Sequence, residues 1–222
     1  MGRRALKKLN PELDLSRHLH VLTAEAPPID PQAFFPSPAP LEIEVGSGKG
    51  LFLLRASGDA PQRNFLGCEV SHKYARHAAG RLARAGRTNA VMLDGDALRL
   101  FDVQLPSACA AAVHVYFPDP WWKKRHRKRR VLNEQFVRNV QRVLEPGGSL
   151  HFWTDVEEYY QVTLELIAEL GGFEGPFAVE AAPAEHDLDY RTHFERRTRL
   201  HELPVYRSEF RLPARQVVEP AP

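Results

Sequence analysis

The sequence predicts an α/β fold, a doubly wound sheet of mostly parallel strands with an antiparallel strand at one edge. Three observations predict it. Short apolar runs alternate with helical periodicities from residue 41 to about residue 170. A glycine-rich turn, Gly46-Ser47-Gly48-Lys49-Gly50, joins the first apolar run to the first helical one. Acidic residues, Glu69, Asp96, Asp119 and Asp155, follow successive apolar runs at their carboxyl ends.

In chain order, residues 1–40 read as an N-terminal arm and a linker. Arg3, Arg4, Lys7 and Lys8 charge the arm, and six prolines between residues 27 and 40 remove the donors that helix or ladder needs. The main domain spans residues 41–215, and 216–222 form a C-terminal tail. Strands are expected at 41–45, 64–70, 89–93, 110–117 and 149–154. A helix containing Leu51, Phe52 and Leu54 follows the glycine turn, and an alanine-rich one runs through Arg84. Leu132, Phe136, Val140, Val143 and Leu144 recur three and four apart, the mark of a helix with one buried face. Glu145-Pro146-Gly147-Gly148 stops that helix, and another ends near Leu170. Residues 190–212 read as a loop followed by a strand at a sheet edge.

Composition narrows the function. With 222 residues, 43% hydrophobic and 26% charged, the chain has the makeup of a soluble globular protein with one sizeable core. No apolar run reaches the roughly 18 residues of a membrane span, and the basic start lacks an apolar signal core. Cys68 and Cys109 have no metal-type or redox-type spacing and suit buried thiols in a reducing cytoplasm. Net charge is only +2, yet in residues 123–130 every residue but His126 is Lys or Arg, so the remainder is net acidic. Positive potential gathered beside one loop steers a polyanion to one place.

The glycine turn and the strand-end acids describe a nucleoside site. Gly46, Gly48 and Gly50 permit close backbone approach, Glu69 suits a pair of ribose hydroxyls, and Asp96 an adenine amino group. A dinucleotide would use the same features, but its fingerprint is G-x-G-x-x-G, whereas the spacing here is G-x-G-x-G. Glu44, two residues before the first glycine, repels pyrophosphate and suits the ammonium and sulfonium of S-adenosylmethionine. Asp119 ends the fourth strand within Pro118-Asp119-Pro120-Trp121-Trp122. Either tryptophan is suited to stack on an extruded base, and one of the two is expected in the core.

The order Phe117-Pro118-Asp119-Pro120-Trp121, the basic run after it, and Thr192-His193-Phe194-Glu195 together resemble the bacterial tRNA (guanine-N7)-methyltransferase family. The resemblance spans residues 41 to about 210 and implies a Rossmann-like class I fold, S-adenosylmethionine as cofactor, and tRNA guanine 46 in the variable loop as target. It places cofactor contacts on Glu44, Glu69, Asp96 and Asp119, and substrate contacts on Lys123, Asp155, Thr192, His193, Phe194 and Glu195. Arg125, His126, Arg127, Lys128, Arg129 and Arg130 fall where the family meets RNA. The family segment usually reads Thr-Lys-Phe-Glu, so His193 is a departure. The acids lie at separate strand ends and the histidines are scattered, so no metal is expected, no membrane partner is expected either, and the sequence leaves monomer and homodimer open.

Guanine N7 presents a lone pair, so methylation there needs no general base. The enzyme must supply alignment and a fixed negative field, which makes Asp119 the expected catalytic residue, with Asp155 assisting from the next strand end. Competing readings keep the fold but act on another RNA position or a small-molecule amine, or retain only RNA binding. A nicotinamide dehydrogenase is disfavoured by the glycine spacing.

Overall fold

The structure is a computed structural model that describes residues 6, 10, 12–23, 27–181, 183 and 190–214. The expected tail at 216–222 and the charged positions 3, 4, 7 and 8 lie outside the described residues. The strands are β1 (Leu19–Val21), β2 (Leu41–Val45), β3 (Asn64–Glu69), β4 (Ala90–Asp94), β5 (Ala110–Tyr116), β6 (Leu144–Thr154), β7 (Glu174–Ala178) and β8 (Tyr206–Arg211). The helices are α1 (Leu51–Asp59), α2 (His72–Arg84), a short α3 (Ala97–Arg99), α4 (Glu134–Val143), α5 (Glu157–Leu170) and α6 (His193–Leu200).

All eight strands join one sheet in the order β1-β4-β3-β2-β5-β6-β8-β7. The first six are mutually parallel, while β8 pairs antiparallel with β6 and β7 antiparallel with β8. The expected edge strand near the C-terminus is therefore interior, and β7 covers it. The parallel strands read as near-continuous apolar runs because both faces are covered. Ala90–Asp94, for example, is buried throughout.

One core, around Phe136, Val140, Val156 and Tyr159, lies beneath α4 and α5. The other, around Phe52, Leu53, Ala75, Ala78 and Leu82, lies beneath α1 and α2. Asn133 caps α4 by accepting from Phe136 N at 3.0 Å. The Gly147-Gly148 segment does not simply end that helix: β6 already begins at Leu144, and its pairing with β5 is interrupted by a bulge between Ala110 and Ala112.

Two segments contribute more than their composition predicts. Residues 19–21, within the expected arm, pair with β4. The proline-rich stretch holds a short 3-10 turn, Pro31–Phe34, capped by Asp30, and it buries Phe35. Asn64 donates to Gln32 Oε1 at 3.0 Å and to Ser37 O at 2.9 Å, tying this stretch to the start of β3. Among the described helices, none is long and apolar enough to cross a membrane. Cys68 is buried, Cys109 is half-buried, and both are free thiols.

Candidate active site and nucleic-acid interface

From β2 the chain order runs outward to β3 and β4, whereas from β5 it runs the other way to β6. The sheet thus has a topological switch between β2 and β5, and ligands of such sheets bind beyond the carboxyl ends of the strands at that point. The glycine turn stands there. Gly46 N and Ser47 N both donate to Cys68 O, at 2.8 and 3.1 Å, which pins the turn to β3. Gly46 and Gly48 have φ of +75° and +54°, and a Cβ on either would meet nothing within 4 Å, so the backbone faces open space. Gly50 differs: its φ is +66°, and a Cβ there would lie 2.6 Å from Ala78 Cβ. It lets the start of α1 press against α2.

Glu44 is 3% exposed, and its Oε2 has no hydrogen-bond partner among the described residues. Burial, and to a lesser extent the nearby Glu69 carboxylate, push its pKa up to about 8. A buried carboxyl oxygen without a partner is costly, and a cationic group arriving at the turn would relieve that cost. Glu69 is held in place: its Oε2 accepts from Gly48 N and its Oε1 from Ser71 N, each at 2.9 Å. Each carboxylate oxygen keeps a further lone pair for a hydroxyl. Asp94, at the end of β4, pairs with His72 Nδ1. Asp96 is exposed and caps α3 by accepting from Leu98 N at 2.9 Å. A buried carboxyl with one orphaned oxygen, an open glycine turn and an acid on the adjacent strand fit S-adenosylmethionine, whose ammonium, ribose and adenine need such partners in turn.

On the other side of the switch, β5 ends at Tyr116, and Phe117 and Trp121 adopt φ of +50° and +47°. Such values in bulky residues are strained, so the corner is held by its surroundings. Phe117 N donates to Trp153 O at 2.7 Å, and Asp119 Oδ1 accepts from Trp121 N at 3.1 Å. Asp119 is exposed, and Asp155 is half-buried beyond the end of neighbouring β6. Neither tryptophan of the corner is in the core: Trp121 is half-buried and Trp122 is 70% exposed. The buried tryptophan is Trp153 of β6 instead, because only that one sits on a central strand.

Lys123 is exposed and precedes a 3-10 turn, Lys124–Arg129. Arg125, Arg127, Lys128 and Arg129 are exposed, with Arg129 resting 5.0 Å over Trp121 and half-buried His126 edge-on to that ring at 5.8 Å. Arg130 departs from the expected RNA contact. It is 6% exposed, donates from Nε to Pro120 O at 2.8 Å, and lies 4.4 Å over the ring of Tyr159. Its guanidinium also bonds Glu158 at 2.6 Å. With its donors so engaged, Arg130 moors the loop.

The C-terminal segment divides in the same way. Thr192 caps α6 by accepting from Glu195 N at 3.0 Å. Glu195, expected to touch substrate, is 2% exposed: its Oε2 accepts from Arg191 N at 2.7 Å and its Oε1 faces Arg207 Nη2 at 3.1 Å. It is a structural carboxylate. Phe194 remains 47% exposed and stacks on Phe117 at 6.1 Å, so α6 reaches the β5 corner. Burial and the cations Arg81 and Lys49 lower the pKa of His193 to about 4. Since the residue as a whole is exposed, the cations are the firmer cause.

Arg191, which the motifs do not include, donates to Tyr116 Oη at 3.1 Å and lies 5.2 Å over Trp153. The alternation of His114 and Tyr116 with apolar residues in β5 is the signal for this polar row. A separate open cavity of about 310 Å³ lies among Leu98, Asp102, Phe136 and Asn139, and none of the strand-end acids lines it.

Comparison with known proteins bears on the chain as a whole. A family model described as "Putative methyltransferase" matches residues 38–208. Over 217 residues the chain is 50% identical to the tRNA (guanine-N(7)-)-methyltransferase of Rhodopirellula baltica, an alignment covering 95% of this chain and 80% of that one. The 16S rRNA methyltransferase KamB superposes with a TM-score of 0.56 at 17% identity, covering 78% of this chain and 88% of its own. A SAM-dependent methyltransferase from Aquifex aeolicus superposes at 0.52 with 14% identity, covering 78% and 81%. The two superpositions identify the sheet as that of the class I methyltransferases, and the extent of the sequence matches shows that the chain belongs to the tRNA (guanine-N7)-methyltransferase family.

Proposed function

We propose that the protein transfers a methyl group from S-adenosylmethionine to N7 of a tRNA guanine, at position 46 in the variable loop. The observation that carries this reading is the shared edge. Glu44, Glu69 and Asp96 leave β2, β3 and β4 at the carboxyl end of the sheet, where β5 delivers Asp119 and the cationic turn. A cytoplasmic setting goes with a tRNA substrate and with two free thiols.

The cofactor, when bound, supplies an electrophilic methyl group. Glu44 would hold its ammonium, Glu69 its ribose hydroxyls and Asp96 its adenine. Asp119, exposed and free of ion pairs among the described residues, positions the guanine and places negative charge where the methylated purine becomes cationic. Asp155 adds to that field from β6. No residue removes a proton, since N7 attacks with its own lone pair. Lys123 contacts the guanine acceptor edge or an adjacent phosphate, and the exposed cations of 125–129 hold the RNA backbone.

The test is incubation of the protein with tRNA and labelled S-adenosylmethionine, followed by borohydride and aniline cleavage. Strand scission at guanine 46 is expected. Label that resists this cleavage, or label retained when 7-deazaguanine replaces the target, overturns the reading.

A further inference from the structure

The 124–129 turn belongs to the α5 face of the sheet, to which Arg127 and Arg130 bind it through Glu158 at 3.1 and 2.6 Å. The opposite face carries a second cationic cluster. Lys49 lies in the glycine turn, His77, Arg81 and Arg84 share one side of α2 at spacings of four and three, and His193 opens α6. Arg81 Nη1 donates to Lys49 O at 3.0 Å and approaches His193 Nε2 at 3.3 Å, so three elements meet at one guanidinium. Because Arg81 offers only donors, His193 accepts with a bare ring nitrogen and is neutral there.

Among the described residues, Lys49, Arg81 and Arg84 form no ion pair with a carboxylate. Burial and the adjacent Arg84 lower the pKa of Arg81, and burial with Arg81, Arg84 and Lys49 lowers that of His77. Surface cations are ordinarily interspersed with acids, as in the Arg138–Glu134 pair on α4 at 3.0 Å. Like charges gathered without acids repel one another, and a bound polyanion removes that repulsion.

We propose that Lys49, Arg81 and Arg84, with His193 aiming Arg81, form a second phosphate-binding surface for the tRNA, on the opposite side of the crevice from the 124–129 turn. It rests on the tRNA reading above. The substrate backbone is then held on both flanks of the target nucleotide, with Phe194 and Phe117 between them. Two separated anchors fix the direction of the strand through the crevice, which one basic loop does not.

The experiment measures tRNA affinity against salt for the wild type, for Arg81→Gln/Arg84→Gln, and for Arg125→Gln/Lys128→Gln in the turn, with calorimetric cofactor affinity and melting temperature for each. The α2 double variant is expected to lower the slope of log affinity against log salt by about 0.7–0.9 for each phosphate no longer neutralised, with cofactor affinity unchanged. Should removal of the Arg81–Lys49 hydrogen bond loosen the glycine turn and weaken cofactor binding, Arg84→Gln alone carries the same test. A wild-type slope in the α2 variants beside a reduced slope in the turn variant overturns this proposal and leaves the tRNA reading intact. A wild-type protein that does not bind tRNA overturns both.

Discussion

Arg130 and Glu158 meet at two points, Nη2 to Oε2 at 2.6 Å and Nη1 to Oε1 at 3.4 Å, across the base of the basic turn. The Arg130 side chain is 7% exposed and that of Glu158 is 40% exposed. Arg130 holds Glu158 below the usual carboxylate range, mainly through the hydrogen bond. Arg130→Ala should therefore destabilise the fold by about 1–3 kcal/mol, a modest cost because half the pair is solvated. Arg125→Ala should leave stability within about 0.5 kcal/mol and act on tRNA affinity alone. Denaturant unfolding of the two variants checks the division.

Asp119→Asn keeps the shape of the corner and the acceptor for Trp121 N but removes the charge. Turnover should fall by about 100- to 1,000-fold, with a much smaller loss of cofactor affinity because the carboxamide oxygen keeps an acceptor at the expected cofactor contact. Single-turnover kinetics with calorimetric cofactor binding separates the two, and unchanged turnover would discard Asp119 as the catalytic group.

Glu44 couples cofactor binding to pH. Its pKa of about 8 leaves it protonated near neutrality, and holding an ammonium requires the carboxylate, so binding releases a proton. Cofactor affinity should rise with pH between about 6 and 7.5, by up to tenfold per unit. For the free protein the sign is opposite. The raised pKa contributes stability below the unfolded value of 4.5, and that contribution is lost as pH rises towards 8. Calorimetry in buffers of different ionisation enthalpy should detect the proton, and Glu44→Gln should abolish it.

His114 and His151 stack at 4.8 Å in the sheet, with Glu42 2.8 Å from His114 Nε2 and Glu209 3.7 Å from His151 Nδ1. Burial lowers both pKa values, that of His151 to about 2, and Arg191 adds to both. A depressed histidine contributes stability above its unfolded value near 6.5 that is lost as pH falls below it. Stability should decline from pH 6.5 to 5 by up to about 1.4 kcal/mol per unit for His151, with His114 acting in the same direction. His151→Phe should flatten the decline, as read by denaturant unfolding at each pH.

Trp122, 70% exposed beside Asp119, is free to stack on a base. Trp122→Ala should weaken tRNA binding by about 1–3 kcal/mol with no change in melting temperature. Anisotropy titration with labelled tRNA reads the first, and a thermal melt the second.

The alternation of apolar runs with helical periods identified the parallel strands, and the acids after them marked the carboxyl edge, because local pattern decides which residues a strand or helix must bury. The corner motif was equally legible, being contiguous. Burial of individual side chains was not. Within residues 123–130 seven cations look alike in sequence, yet Arg130 alone is sequestered, because Pro120 O, Tyr159 and Glu158 converge on it from separate stretches of the chain. Glu195 became structural for the same reason, when β8 brought Arg207 beneath α6. β1 is three residues long, too short for a periodic signal, and is a strand only because the edge of β4 accepts it. The cluster around Arg81 joins residues 49, 81 and 193, which no local pattern links; the packing of the glycine turn, α2 and α6 puts their charges side by side.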